Sequence, residues 1–228
     1  MTVQKMPSGA EIKDFMEIFC RNLKKSDFPA LRHMIYEAWD FGYDADAVST
    51  RELLDDYLYE YLAKSNFCKV AIADGTVISF LLGRCNRLGT WKHRLRYFFP
   101  RNFARFRMLF NHDGQKELRE EHRIARADSD LIRYHRGQFD GELCLFATDE
   151  RFRGHGAGVD LLRLFHAFLR KNGAKDYFVY TDTYSNYEFY NRQGFRQISS
   201  ETVDLGDGME PKPTFFLYEY RLGEEDPF

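Results

Sequence analysis

A glycine-rich turn joins an apolar segment to an amphipathic helical pattern in the C-terminal half of this chain. The turn spans Arg153–Gly158 and follows the apolar run Leu143–Ala147. Apolar residues then recur at helical spacing from Val159 onward. A strand, a glycine-rich turn and a helix form an anion site, because glycines let backbone N–H groups converge and the helix N-terminus carries partial positive charge. The sequence therefore predicts an α/β fold that holds a nucleotide-like cofactor.

Two common phosphate-binding motifs do not match this turn. A dinucleotide fingerprint needs G-x-G-x-x-G, but its third position is Val159 when counted from Gly154 and Leu161 when counted from Gly156. A Walker-type loop needs Lys and then Ser or Thr after its last glycine, where this chain has Val159 and Asp160. A structural turn without a ligand stays open as the alternative.

A second motif lies downstream of the turn. Ser185 and Glu188 have the spacing of a capping box, which predicts a short helix over 185–193. Asn186 and Tyr190 would then lie on one face of that helix, near its positive end. The alternative is that the tyrosine only belongs to an aromatic packing face.

The two motifs together resemble the GNAT family of N-acetyltransferases. The acetyl-CoA loop of that family reads Arg/Gln-x-x-Gly-x-Gly/Ala, and a tyrosine precedes a Gly-Phe pair further on. The matching residues here are Arg153, Gly156, Gly158, Tyr190, Gly194 and Phe195. The resemblance is specific over about Glu142 to Ile198. It implies an acyl-CoA N-acyltransferase fold, an α/β (α+β) arrangement with a mixed sheet, in a single domain over 1–228.

The resemblance also implies a reaction and a set of site residues. We expect acetyl transfer from acetyl-CoA to a primary amine, by direct attack in a ternary complex. Tyr190 would protonate the leaving sulfur, and Glu142 is the candidate base, with an exposed strand-end carboxylate or a water-only mechanism as alternatives; Asp149 and Glu150 are weaker candidates. The expected cofactor-binding residues are Phe146, Ala147, Thr148, Arg153, Gly154, His155, Gly156, Ala157, Gly158 and Asn186.

The identity of the acceptor and the size of the acyl group stay open. An alternative function is a catalytically silent acyl-CoA-binding regulatory module that contacts nucleic acid through a basic segment. The net charge of −2 gives no support for a general polyanion binder, so a nucleic-acid partner is not expected. A small-molecule or peptide amine is the expected partner, and a homodimer is compatible with the family.

Apolar runs and cysteine spacing indicate the cellular compartment in which we expect this protein. No apolar run approaches the roughly 20 residues that span a bilayer, and the start is not a signal peptide, so we expect a cytoplasmic protein without a membrane partner. The cysteines are widely spaced, which favours reduced core residues over disulfides or a metal site. They are Cys20, Cys68, Cys85 and Cys144. No metal is expected.

Helices and strands are predicted to alternate along the chain. Asp74-Gly75 is a two-residue hairpin signal between strands Phe67–Ala73 and Thr76–Leu82. The site strand Glu142–Thr148 and the strand Tyr177–Thr181 should be parallel, because a helix that ends near Asn172 connects them. The other expected elements are strand Glu17–Leu23, helices from Asp27 to Trp39 and Ser49 to Ala63, and a closing hairpin of Phe195–Val203 with Thr214–Tyr220 around Gly206 and Gly208.

One segment is longer than the short connection that the family usually has at this position. We expect a helical insertion over about Arg84 to Gly141, before the cofactor-site strand. Basic residues alternate with aromatic residues in its first half, which contains no acidic residue, whereas its second half includes Glu117, Glu120 and Asp128. Such a pattern binds nucleic acid or another anionic surface in some proteins. The favoured interpretation is an amphipathic lid that buries its aromatics on the domain and solvates its arginines.

Overall fold

Seven strands form one mixed sheet in the order β1-β2-β3-β4-β5-β7-β6. The structure is a computed structural model, and it describes residues 16–39, 48–109, 126, 129–133, 135, 137–204 and 211–223. The strands are β1 (Ile18–Asn22), β2 (Phe67–Ala73), β3 (Thr76–Cys85), β4 (Gly141–Thr148), β5 (Asp176–Asp182), β6 (Arg196–Thr202) and β7 (Thr214–Arg221). The predicted mixed-sheet α/β fold is confirmed.

Helices cover both faces of this sheet. The described helices are α1 (Phe28–Trp39), α2 (Val48–Lys64), α3 (Trp91–Met108), α4 (Ala157–Lys171) and α5 (Glu188–Arg192). On one face, α4 buries residues such as Leu161 and Phe165 against the strands. On the other, α1 and α2 bury Ile35 and Leu58 against β2, β3 and β4. None of the helices in the described ranges combines the length and apolar character needed to cross a membrane.

The predicted hairpin and crossover are both confirmed. Asp74 and Gly75 have φ values of 48° and 77°, the left-handed pair that a two-residue hairpin turn requires. Strand β4 pairs with β5 in parallel, and the connection between them contains α4. Strands β6 and β7 form the predicted antiparallel pair, while Gly206 and Gly208 lie outside the described residues.

The two parallel strands separate after a short contact. Only Glu142 and Leu143 of β4 are paired with β5, although β4 continues to Thr148 and β5 to Asp182. A bulge lies at this point, because Cys144 has no register partner in β3. Bulges increase local twist and end strand pairing. The outer ends of β4 and β5 therefore border an open cleft.

The predicted capping box is wrong. Helix α5 begins at Glu188 with Tyr187 as its N-cap, and no side chain caps it. The carboxylate of Asp182 instead accepts hydrogen bonds from the backbone N–H groups of Tyr184 and Ser185 at 2.8 and 2.9 Å. This competing turn ties residue 185 to the end of β5, so Asn186 precedes the helix rather than sharing its face with Tyr190.

The insertion is narrower than predicted at both ends. Arg84 belongs to β3 and Gly141 to β4, which leaves residues 86–140 as the connection. Its first part contains α3. Residues 110–125, which include Glu117 and Glu120, lie outside the described residues, and so does Asp128.

The predicted orientation of the basic aromatic segment is also wrong. Trp91, Phe98 and Phe103 of α3 are mostly exposed, whereas Arg101 forms ion pairs with Asp56 and Glu60 of α2. Carboxylates of α2 face α3 and form ion pairs with its arginines. The arginine-bearing side of α3, rather than its aromatic side, therefore packs on the domain. The segment therefore does not bury its aromatics on the domain as a lid would.

Gly83 allows α4 to pack directly on β3. A Cβ at this position would lie 2.6 Å from Cζ of Phe165, whose ring is fully buried. We expect Gly83→Ala to lower the free energy of unfolding by about 1–3 kcal/mol, because the ring has no free space to move into. Urea denaturation measures this. Gly89→Ala is the matched control, since its Cβ would make an ordinary 3.5 Å contact with Trp91. Equal effects in both variants would contradict the packing argument.

Candidate active site

The loop between β4 and α4 presents its backbone to solvent. Gly154 and Gly156 have φ values of 81° and 90°, and a Cβ added to either would meet no atom within 4 Å. Gly156 is the N-cap of α4, and no side chain caps this helix. The first N–H groups of an α-helix have no intrahelical partner, so they are available to an anion. The geometry fits the predicted phosphate site.

Gly158 brings the start of α4 against β4. A Cβ at this position would lie 2.9 Å from Cζ of Phe146. The same phenylalanine packs on Phe189 of α5, with ring centroids 5.4 Å apart. Phe146 therefore links the glycine loop to the second predicted motif, and the two motifs lie at one site.

The outer half of β4 directs alternate backbone N–H groups into the cleft. The N–H of Asp149 donates to the carbonyl of Ile78 in β3 at 3.0 Å. Because N–H direction alternates along a strand, the amide of Ala147 also points to β3, whereas those of Phe146 and Thr148 point to the β5 side. Pairing with β5 ends at Leu143. Phe146 and Thr148 thus offer main-chain donors on the open side of β4.

The charged side chains of the loop mostly contact the loop itself. Arg153 lies 3.8 Å from a carboxylate oxygen of Glu150, and Nδ1 of His155 lies 3.1 Å from the backbone carbonyl oxygen of Arg153. Both side chains are largely exposed. These contacts fit an arginine that shapes the loop and a histidine that contributes its main-chain amide.

Tyr190 is buried in the aromatic core beside the cleft. Its ring packs edge-on against Phe195 at 5.2 Å and lies 6.0 Å from Tyr218. Burial, with a smaller contribution from the Asp182 carboxylate, raises the pKa of its phenol well above the usual value. The hydroxyl therefore stays protonated at neutral pH, but it releases its proton less readily than a free tyrosine.

Glu142 is a buried, ion-paired carboxylate rather than an exposed strand end. It lies directly opposite Arg84 of β3, and Nη2 of Arg84 donates to its Oε2 at 2.5 Å. The residue is also at the closed end of the cleft, because it is one of the two positions of β4 that pair with β5. Three residues of strand lie between it and Phe146, and the two positions are roughly 13 Å apart along the backbone. Any proton transfer from an acceptor near Phe146 would need waters between them.

Asp182 is a site residue that the sequence analysis missed. It ends β5 at the open side of the cleft, and one of its carboxylate oxygens accepts both turn N–H groups described above. Burial raises the pKa of this carboxyl despite those hydrogen bonds. An aspartate at a strand end before a Thr-Tyr-Ser turn indicates an Asx-turn, and this signal is visible in the sequence. The burial of Asp182 is not visible in the sequence, because it depends on the neighbouring strands.

Two other groups near the cleft are poorly suited to take part in the chemistry. The side chain of Arg151 donates twice to Asp149, and this lowers the pKa of the Asp149 carboxyl. Burial raises the pKa of the Cys144 thiol well above its usual value. A weakly basic carboxylate and a protonated thiol favour neither Asp149 as the base nor Cys144 as a nucleophile.

Comparisons with known proteins agree with this geometry. Residues 107–209 match the family model described as an acetyltransferase (GNAT) domain. Ard1 from Thermoplasma volcanium superposes with a TM-score of 0.53 at 15% identity, over 91% of this chain and 99% of that chain. A polyamine N-acetyltransferase from Drosophila melanogaster superposes with a TM-score of 0.51 at 12% identity, over 90% and 100%.

A third solved structure is of an enzyme that is named for a ribosomal protein. The ribosomal-protein-S18-alanine N-acetyltransferase from Escherichia coli superposes with a TM-score of 0.52 at 12% identity, over 91% of this chain and 97% of that chain. At these identities the likeness concerns the fold. The sequence has no match among curated proteins. The resemblance stated from the two motifs is confirmed by the family model and by the fold.

Proposed function

We propose that this chain, whose residues 107–209 match a GNAT acetyltransferase domain, transfers an acetyl group from acetyl-CoA to a primary amine. The observation that carries the proposal is the cleft between β4 and β5, beside the uncapped N-terminus of α4. A cleft lined by free strand amides and bordered at its open end by a helix N-terminus suits a ligand with a phosphate end and an extended arm. Free cysteines suit the cytoplasm as the location of the reaction.

The cofactor would bind largely to main chain. Gly154 to Gly158 and the first turn of α4 would hold the pyrophosphate, with Arg153 and His155 shaping the loop. The amides of Phe146 and Thr148 would bind the arm and the thioester oxygen, where negative charge develops during attack. Asn186 is exposed on the turn before α5, where it would contact the arm from the other side.

The acceptor would be a neutral amine that attacks the thioester directly. An alkyl amine with a solution pKa of about 10.4 is mostly protonated at pH 7, so a base or a desolvated position must favour its neutral form. The reaction would need no acyl-enzyme, because the thiol that β4 carries, Cys144, is buried and protonated and so is a poor nucleophile. Structurally similar proteins are named for a polyamine and for an alanine of ribosomal protein S18, which supports a primary amine as the acceptor class.

Glu142 is the proposed base, acting through water, and Asp182 is a second candidate. Glu142 keeps the position implied by the resemblance, but Arg84 neutralises it. Asp182 lies at the open end of the cleft, and burial raises the pKa of its carboxyl, the direction that favours a base. We expect Glu142→Gln to lower kcat/KM by roughly 100-fold.

The matched variants are Asp182→Asn and Arg84→Gln. A fall in kcat/KM in Asp182→Asn but not in Glu142→Gln would assign the base to Asp182 and contradict Glu142. Arg84→Gln removes the neutralising partner of Glu142 and leaves the carboxylate in place. Its kcat/KM should stay close to that of wild type if the carboxylate of Glu142 is the base, and should fall as far as in Glu142→Gln if Glu142 acts only through its ion pair. A thermal melt of each variant separates chemistry from lost stability.

One experiment tests the function as a whole. Thiol release from acetyl-CoA is measured on purified protein with a panel of amines, namely amino acids, polyamines, aminoglycosides and N-terminal peptides, beside calorimetric binding of CoA. Turnover with one class establishes the enzyme and its acceptor class. CoA binding without turnover on any amine would favour the silent regulatory module. Absence of CoA binding would overturn both proposals.

A further inference from the structure

Helix α3 exposes a continuous apolar face. Five large side chains recur along one side of this 18-residue helix, and we call them the outer face. They are Trp91, Leu95, Phe98, Phe99 and Phe103, which are between 56% and 74% exposed. The helix is about 27 Å long, so the outer face is far larger than the isolated exposed apolar residues of an ordinary surface.

The opposite side of α3 is fixed to the domain. Tyr97, Ala104 and Met108 are buried, and the Tyr97 ring stacks on Tyr59 of α2 at 5.9 Å. Arg101 and Arg105 form ion pairs with Asp56, a carboxylate that is itself buried. Because these contacts fix one side of the helix to the domain, the outer face is directed away from the domain.

Cations border the outer face. Lys92, Arg94 and Arg96 have no ion-pair partner among the described residues, and α3 contains no acidic residue. Arg96 also borders a cleft of about 330 Å³ between α1, α2 and α3, and Lys25 lines this cleft from the other side. Arg32 lines it as well, but its charge is paired with Asp55 of α2. An anionic group next to the outer face would therefore meet several positive charges.

We propose that α3 docks this protein onto an anionic phospholipid surface. A helix that lies in a membrane interface combines an apolar face rich in Trp, Phe and Leu with Lys and Arg on its borders, and this is the composition of α3. The aromatic side chains would enter the boundary between headgroups and acyl chains, while Lys92, Arg94 and the cation-lined cleft would bind lipid phosphates. The contact is peripheral and needs no spanning helix.

Charge and composition favour a lipid surface over the other occupants. The cations would bind the phosphates of duplex nucleic acid, but most of the apolar outer face would remain in water. A second copy of this chain would bring the same unpaired cations together across a twofold axis, where like charges repel. An anionic bilayer satisfies both the apolar face and its basic border.

Vesicle sedimentation tests the proposal on the full chain. Wild-type protein is mixed with phosphatidylcholine vesicles, with or without about one quarter phosphatidylglycerol, at increasing salt. We expect binding to the anionic vesicles only, weakened by salt. Trp39→Phe leaves Trp91 as the single tryptophan, because the chain has two. Its emission should shift to shorter wavelength when the anionic vesicles are added.

Two sets of variants separate the apolar and ionic parts. Phe98→Ser with Phe99→Ser should weaken vesicle binding by roughly ten- to a hundred-fold. Lys92→Gln with Arg94→Gln should weaken it by roughly ten-fold and reduce its salt dependence. Phe19→Ser is the matched control, because Phe19 is an exposed phenylalanine on β1, away from α3. All variants should keep the wild-type melting temperature within a few degrees.

Several results would overturn the proposal. They are the absence of wild-type binding to anionic vesicles, equal binding to neutral ones, or an equal loss in Phe19→Ser. A dimer that Phe98→Ser with Phe99→Ser dissociates, without vesicle binding, would instead make the outer face an interface between copies. Binding of duplex DNA without vesicle binding would assign the cations to nucleic acid. None of these readouts depends on acetyl transfer, so they stand apart from the test of the proposed enzyme.

Discussion

Gly156→Glu should abolish measurable CoA binding while the protein remains folded. Gly156 has a φ of 90° and is the N-cap of α4. A glutamate there would place a carboxylate where the pyrophosphate is proposed to bind, and like charges at close range repel. Its Cβ meets no other atom, so the cost to folding is limited to the left-handed backbone, about 1–2 kcal/mol. We expect CoA affinity to fall at least about 100-fold by calorimetry.

Gly137→Glu is the matched control for this variant. Gly137 has a φ of 78°, and a Cβ added to it also meets no atom within 4 Å. The backbone strain and the added charge are therefore the same, but the position lies outside the loop. Near wild-type affinity in Gly156→Glu, or an equal loss in Gly137→Glu, would contradict phosphate binding at the start of α4.

Tyr190→Phe should lower kcat by roughly ten- to a thousand-fold with little change in CoA affinity. The variant removes one hydroxyl and keeps the ring that packs on Phe195. Because burial raises the pKa of Tyr190, complete transfer of its proton to a thiolate is less favourable than for a free tyrosine. We therefore expect the hydroxyl to stabilise the leaving sulfur by a hydrogen bond. It should also add no alkaline limb to the pH profile below about pH 10.

The neighbouring Tyr218 provides the control for Tyr190. It is also buried, and its hydroxyl lies 3.4 Å from the side-chain oxygen of Gln197. Steady-state kinetics on Tyr218→Phe should show nearly unchanged kcat, since this hydroxyl already has a partner away from the cleft. If Tyr190→Phe turns over at the wild-type rate, Tyr190 has no part in the chemistry.

Locally encoded features could be predicted from the sequence. The turn at Asp74-Gly75 and the glycine loop before α4 depend on residues a few positions apart, so their backbone preferences are visible in a short window. The bulge at Cys144 could not be predicted, because it depends on how β3 and β4 align across a long connection. The pairing of Glu142 with Arg84 follows from the same alignment.

The errors at α3 and α5 have separate physical causes. Helix α3 has apolar residues on two sides, and periodicity alone does not show which side faces the domain. The carboxylates of α2, which include Asp56, decide this through tertiary contacts. At α5, Ser185 and Asp182 both offer a side chain to the local backbone, and the aspartate binds the backbone N–H groups.

The short contact between β4 and β5 divides the sheet into two plates. One plate contains β1 to β4 and the other contains β5, β7 and β6, and two residue pairs form the strand contact between them. A ligand in the cleft would touch both plates and replace part of the missing strand pairing. Substrate binding would then hold the two plates together. It would therefore raise the free energy of unfolding of the whole molecule.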